Sequence, residues 1–118
     1  MTPDEAVSRF LYSGAVCAAD IALAHSPSLY EAVGRAIEAG QLENITQHTL
    51  LDTAPFPFYR PEFAGKYHGV SWFSQAFARK AINAGYADAM PCYYRDIPGL
   101  FEEYIKPEVL VATVSPMD

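Results

Sequence analysis

Basic residues are scarce in this chain: eight Lys and Arg stand against fourteen Asp and Glu, giving a formal net charge of −6. Nucleic-acid binding needs a clustered cationic face to neutralise phosphates, so no nucleic-acid partner is expected. Long apolar runs are also missing. The longest, Ala15 to Ala24, is interrupted by Asp20 and is too short to cross a bilayer. Met1 to Glu5 is polar and acidic where a secretion signal would be basic and then apolar. No membrane partner is expected, and the cytoplasm is the default location. The two cysteines, Cys17 and Cys92, form no CxxC pair and read as reduced thiols. No glycine fingerprint for a dinucleotide or a P-loop occurs, and neither Ser71 nor Ser74 sits in a GxSxG elbow. His48 and His68 lack the spacing of a zinc motif, so no metal site is expected.

What is present describes an ordinary globule, 51% apolar and 19% charged, of a length that suits one domain. Thr2-Pro3-Asp4-Glu5 has the form of a capping box with proline in the first turn, and Ala6, Val7, Phe10 and Leu11 follow at helical spacing. Asp20 to Ala24 reads as a buried strand, and His25-Ser26-Pro27-Ser28 as a tight turn. Leu29 to Ala39 then reads as a helix with a second possible capping box, Ser28 with Glu31, and with Gly40 as its stop. Asn44 to Leu51 is a second strand.

Three prolines and five aromatic residues fill Asp52 to Gly69, which excludes a central strand or a helix interior and predicts a long aromatic loop. Val70 to Phe73, Ala87 to Cys92 and Val109 to Val114 complete the strands. Gln75 to Ala84 and a short helix through Pro98 to Tyr104, capped by Asp96, lie between them. Alternation of this kind predicts an α/β domain with a Rossmann-like, open, mostly parallel sheet and helices on both faces. One domain, residues 1–118, is expected. Because the chain stops just after its strongest strand signal, that domain is expected to be incomplete.

Open α/β sheets bind ligands beyond the carboxyl ends of their strands. The residues expected there are His25-Ser26, Asp52-Thr53, Ser74, Tyr93-Tyr94-Arg95 and Ser115. They can position a substrate but contain no convincing catalytic set. Glu31, Glu38, Glu102 and Glu103 fall on polar helix faces. Glu62, in the aromatic loop, is expected to pair with Lys66 or Arg60. Arg79-Lys80 reads as an exposed helix face rather than a phosphate contact.

From Asn44 onward the text carries several ordered motifs: Asn44-Ile45-Thr46-Gln47-His48-Thr49-Leu50-Leu51-Asp52-Thr53, Pro55-Phe56-Pro57-Phe58-Tyr59, Pro61-Glu62-Phe63-Ala64-Gly65-Lys66 and His68-Gly69-Val70-Ser71-Trp72-Phe73-Ser74. Ala87-Asp88-Ala89-Met90-Pro91, Tyr93-Tyr94-Arg95-Asp96-Ile97-Pro98-Gly99-Leu100-Phe101 and Val114-Ser115-Pro116-Met117-Asp118 follow. Over roughly two-thirds of its length the chain thus resembles the N-terminal domain of the acetyl-CoA hydrolase/transferase family, in its 4-hydroxybutyrate or butyrate CoA-transferase branch. The turn His25-Ser26-Pro27 is shorter than the family's.

The resemblance implies a two-domain transferase that moves CoA between carboxylates by a ping-pong route through a glutamyl-CoA thioester. It places the nucleophilic glutamate in a C-terminal domain that no residue here matches, so no catalytic residue is assigned. The chain alone is expected to be inactive. The resemblance also implies acyl-CoA and small carboxylates as substrates, no resident cofactor, a C-terminal CoA-transferase domain as partner and a homo-oligomer. Acyl-chain contacts are expected at Phe58, Tyr59, His68, Ser71 and Ser115. Two other readings compete: a non-catalytic binding or assembly module with the same fold, and a small stand-alone α/β enzyme. The latter needs an acid at a strand's carboxyl end, where only Asp52 and Asp88 are on offer and neither is well placed.

Overall fold

A computed structural model describes residues 1–116; Met117 and Asp118, the end of the last family-like motif, lie outside the described residues. The elements run α1 (Pro3–Phe10), β1 (Val16–Ile21), α2 (Pro27–Glu38), β2 (Ile45–Leu50), β3 (Tyr67–Ser71), α3 (Ala76–Ala84), β4 (Asp88–Ala89), α4 (Ile97–Leu100) and β5 (Val109–Val111). Five strands form one sheet in the order β4-β3-β2-β1-β5, and every pairing is parallel. This is the open α/β architecture that the alternation predicts. No helix among the described residues is long and apolar enough to cross a membrane.

Handedness decides which layer each crossover joins. From β1 to β4 the chain steps in one direction across the sheet, so right-handed crossovers put α2, the aromatic loop and α3 on one face. The connection from β4 returns to the far side of β1, which places α4 on the other face. The covered face holds the main core. There Tyr30, Phe56, Phe58 and Tyr67 meet edge-on or tilted, with ring centroids 5.0–5.6 Å apart. Helix α1 starts as its sequence demands: Thr2 Oγ1 accepts from Glu5 N–H at 3.2 Å, and the Glu5 carboxylate accepts from Thr2 N–H at 2.6 Å.

Several boundaries differ from the sequence expectation. The first strand is Val16–Ile21 rather than Asp20 to Ala24, and Ala22–Ala24 is a 3₁₀ turn. A continuous apolar run has no periodicity to fix its ends, and here pairing with β2 and β5 fixes them. Helix α2 begins at Pro27 with Ser26 as its cap, so the Ser28–Glu31 box does not form. The aromatic loop ends earlier than predicted, because Tyr67, His68 and Gly69 pair with β2 and belong to β3. Between its prolines it forms two short 3₁₀ turns, Pro57–Tyr59 and Pro61–Phe63.

β4 shrinks to two residues and β5 to three, since each is an edge strand with one neighbour. Asp96 makes no capping hydrogen bond, and α4 continues as a π-helical turn, Phe101–Ile105, that ends at Lys106 with φ +50°.

Candidate functional site

The carboxyl ends of β1, β2 and β3 converge on a buried polar cluster. Asp52, two residues past β2, is 3% exposed, and Thr49 from β2 is fully buried. Tyr59, from the aromatic loop, donates its hydroxyl hydrogen to Asp52 Oδ2 at 2.8 Å, and Thr49 Oγ1 donates to the same oxygen at 3.0 Å. The two hydroxyls are themselves 2.9 Å apart. Tyr59 reaches across only because Gly69 on β3 has no side chain: a Cβ there would lie 2.7 Å from the Tyr59 ring.

His25, in the turn after β1, brings Nδ1 to 3.9 Å from Asp52 Oδ1. Its carbonyl accepts from Thr113 Oγ1 at 2.8 Å, which ties this turn to the segment after β5. Both strand ends are sharply bent, with Ala22 after β1 at φ +49° and Leu51 after β2 at φ +51°. Such left-handed conformations in non-glycine residues cost about 1 kcal/mol or more each and concentrate at ligand-binding edges.

The electrostatics follow from burial. Desolvation raises the Asp52 carboxyl above the usual carboxylate range, against the opposing pull of Tyr59, Thr49 and His25. Burial also raises the Tyr59 phenol, and the Asp52 charge adds to the shift. Five buried polar atoms in or beside the cluster have no hydrogen-bond partner among the described residues: both His25 ring nitrogens, Asp52 Oδ1, Ser71 Oγ and the Tyr30 hydroxyl oxygen. The arrangement can hold an acidic proton and position neighbouring groups. With Asp52 only 3% exposed, it does not supply an accessible carboxylate nucleophile. Among the described residues, no group of three His, Cys, Asp or Glu side chains could hold a metal ion.

Of the five residues expected to contact an acyl chain, three sit together. Phe58, Tyr59 and Ser71 are 1%, 4% and 1% exposed and lie at or under the cluster. His68 is on the opposite face of the sheet, where Nε2 is 2.8 Å from Asp88 Oδ2. Ser115 is exposed beyond β5. Of the two acids weighed for a stand-alone enzyme, Asp88 is exposed on the edge strand β4, while Asp52 is central to the cluster. Glu62 makes no ion pair among the described residues; Arg60 instead pairs with Glu31 and so fastens the aromatic loop to α2.

Sequence reasoning missed Thr49. Its signal was Gln47 and Thr49 at alternate positions of β2, two polar residues aimed at one buried face. It also missed the pair His48 and Trp72 on the opposite face. There the indole N–H donates to His48 Nδ1 at 2.9 Å, and Phe101 covers both rings.

The cluster lies where open parallel sheets of this class take ligands, and known proteins with related chains narrow the class. No protein-family model matches the chain. Over 48 residues, 41% of its length, it is 38% identical to a succinyl-CoA:cyclohexane-1-carboxylate CoA transferase of Geobacter metallireducens, a stretch that is 11% of that protein. The crystal structure of RipA from Yersinia pestis superposes on the whole chain with a TM-score of 0.89 and 26% identity, and the match covers 29% of RipA. A methionine-to-glycine variant of RipA gives a TM-score of 0.90 at the same identity and coverage. Part of this chain is therefore similar to part of a CoA transferase, and its entire fold recurs within RipA. The chain spans less than a third of these solved relatives, and its match a still smaller share of the curated one.

Proposed function

We propose that this chain is the N-terminal portion of an acyl-CoA:carboxylate CoA-transferase of the 4-hydroxybutyrate, butyrate or acetate type. The observation that carries the reading is the 48-residue likeness to a CoA transferase. The full-length superposition on less than a third of a longer protein is compatible with it. On this reading a glutamate of a C-terminal domain attacks the thioester carbonyl and expels CoA thiolate, forming an acyl-glutamyl anhydride. The thiolate attacks the glutamyl carbonyl, which releases the first carboxylate and leaves glutamyl-CoA. The acceptor carboxylate then runs both steps in reverse.

The chain described here contributes the rim: Asp52, Tyr59 and Thr49 fix the turn after β2, and His25 with Thr113 fixes the turns after β1 and β5. Phe58, Tyr59 and Ser71 shape the floor below the acyl chain, while Ser115 and His68 are the expected contacts open to solvent. The enzyme works in the cytoplasm as a homo-oligomer, with CoA thioester as substrate and no resident cofactor.

The test is borohydride trapping with acetyl-CoA and butyrate, run on the chain alone and together with the C-terminal part of a CoA transferase. No turnover and no glutamyl-CoA adduct are expected alone, and both are expected with the partner. Turnover by the isolated 118 residues would overturn the division of labour.

One observation favours a second reading, a non-catalytic assembly module. Leu110 on edge strand β5 is 75% exposed, and Leu23 and Val114 are 93% and 79% exposed. Light scattering separates the readings, because a clean monomer argues against an exposed interface.

A further inference from the structure

The two edges of the sheet are finished differently. β4 is two residues long, carries Asp88 in contact with His68 at 2.8 Å, and runs into Pro91. Brevity, charge and proline are the means by which edge strands resist pairing. β5 itself carries neither charge nor proline: Val109-Leu110-Val111 is apolar throughout, and Leu110 is 75% exposed. Beside it a groove of about 420 Å³ opens toward α1 and α2, lined by Ala6, Phe10, Leu11, Leu29, Val109 and Val111. Phe10 is itself 56% exposed.

The hydrogen-bond ladder shows which backbone groups that edge leaves free. Thr46 N–H donates to Ala15 O at 3.1 Å, so alternate residues of this stretch, Ala15 and Cys17, direct their backbone groups at β2. Val16 and Ala18 direct theirs at β5. Cys17 stands level with Val109, so Val109 lies between Val16 and Ala18 and bonds inward, as Val111 does one step on. Thr113 keeps the same phase, donating its N–H to Ala24 O at 2.8 Å. Leu110 and Ala112 therefore present N–H and C=O to the open side.

We infer that the β5 edge is the docking surface for a second copy of this chain, paired antiparallel about a two-fold axis at Leu110. The inference names a surface for the assembly reading and rests on it. The free groups set the register. With Leu110 on the axis, its N–H and C=O exchange both bonds with the second copy's Leu110, and Ala112 N–H donates to the second copy's Glu108 carbonyl. The same register sets Glu108 opposite Ala112 and Lys106 opposite Val114, so no like charges meet despite the net charge of −6. The grooves beside the two β5 strands then adjoin across the axis.

Surface area matches a partner of this kind. The chain exposes 7089 Å², whereas a self-contained monomer of 13.0 kDa exposes about 6,300 Å². Its radius of gyration, 13.6 Å, is that of a compact chain of this length, roughly 13.5 Å. The surplus is therefore uncovered surface rather than elongation. At about 700 Å² it approaches the roughly 800 Å² that each partner buries in a standard interface.

The test follows the whole chain by light scattering over a concentration series and by backbone amide exchange. A concentration-dependent dimer is expected, with the Leu110 and Ala112 amides protected when concentrated and unprotected when dilute. Leu110→Lys, at a mostly exposed position, should keep the circular dichroism of the fold. It should weaken association about tenfold or more, because like charges would stand directly opposite. Phe77→Lys, on α3 near the opposite edge, should leave association unchanged.

A monomer at every concentration overturns the inference and the assembly reading together. A dimer insensitive to Leu110→Lys, or one that leaves the Leu110 and Ala112 amides unprotected, overturns this surface alone. Protection that appears only when the C-terminal part of a CoA transferase is added gives the edge to that part and overturns the second copy as its occupant. None of these readouts involves a thioester, so the transferase reading stands or falls separately.

Discussion

The two faces of the sheet are built on different principles. The first is covered by α1, α2, α3 and a proline-rich loop, and it buries Tyr30, Phe58 and Tyr67 at 1% exposure or less. Glycines at two contact points, Gly34 and Gly69, let the rings of Phe63, Phe58 and Tyr59 lie directly on helix and strand. The second face carries one short crossover, Tyr94 to Ile105, and its largest packed group is the trio His48, Trp72 and Phe101. Beyond that trio the second face stays open, with Leu110 mostly exposed. Stability therefore resides on the first face. Openness to a ligand or partner belongs to the second and to the strand ends between them.

Cavity-forming substitutions should expose the contrast most strongly. Phe58→Ala is expected to cost about 3–5 kcal/mol in urea unfolding, the range for a fully buried phenylalanine. Phe101→Ala, at a half-buried ring of the second face, should cost less than half of that. Equal losses would erase the distinction.

Gly69→Ala comes next. The new methyl would meet the Tyr59 ring at 2.7 Å and the Phe58 carbonyl oxygen at 3.0 Å, and backbone cannot yield as a side chain can. A loss of about 1–3 kcal/mol is expected, together with displacement of Tyr59 from Asp52. Unchanged tyrosine chemical shifts would show that the close approach is not needed.

Acid should weaken the second face. Burial lowers His48 from its ordinary 6.5 to about 4, with the His68 charge adding to the effect. The unfolded chain binds that proton first, so stability is fully present above pH ~6.5 and is lost as pH falls toward 4. At roughly 1.4 kcal/mol per unit, the loss approaches about 3 kcal/mol. Protonated Nδ1 would face the indole N–H, so Trp72 fluorescence should change over the same window. In His48→Gln this transition should vanish, and persistence would assign it elsewhere.

The first face should show the opposite sign. Because burial raises Asp52, folding favours its protonated form, and its contribution declines as pH rises above its unfolded value near 3.8. Asp52→Asn should remove that slope from the stability–pH curve. The smallest effect is expected for Arg35→Ala: its paired hydrogen bonds to Asp4, 3.0 and 2.8 Å long, are solvent-exposed, so the urea midpoint should hardly move.

Much of this contrast was legible in the residues. Thr2, Pro3 and Glu5 announced the start of α1, and Gly85 ended α3 in the left-handed conformation that a glycine stop implies. His25 and Asp52 were placed at the carboxyl edge by topology alone. Their meeting was not legible, because it depends on how far two turns bend, and both turn on non-glycine residues at positive φ. Ser71 and Tyr59 were named for an acyl chain, and the structure buries them at 1% and 4% exposure beside Asp52. No local pattern distinguishes a tyrosine that lines a cleft from one that props up the floor beneath it.

Alternating periods, capping residues and turn formers fixed the kind of fold from the sequence alone, because those signals act within a few residues. Tertiary structure decided where each strand ends, which face each ring packs on, and that Tyr59 lands on Asp52 across Gly69. Those outcomes depend on contacts between segments far apart in the chain, where burial and hydrogen-bond geometry outweigh local preference.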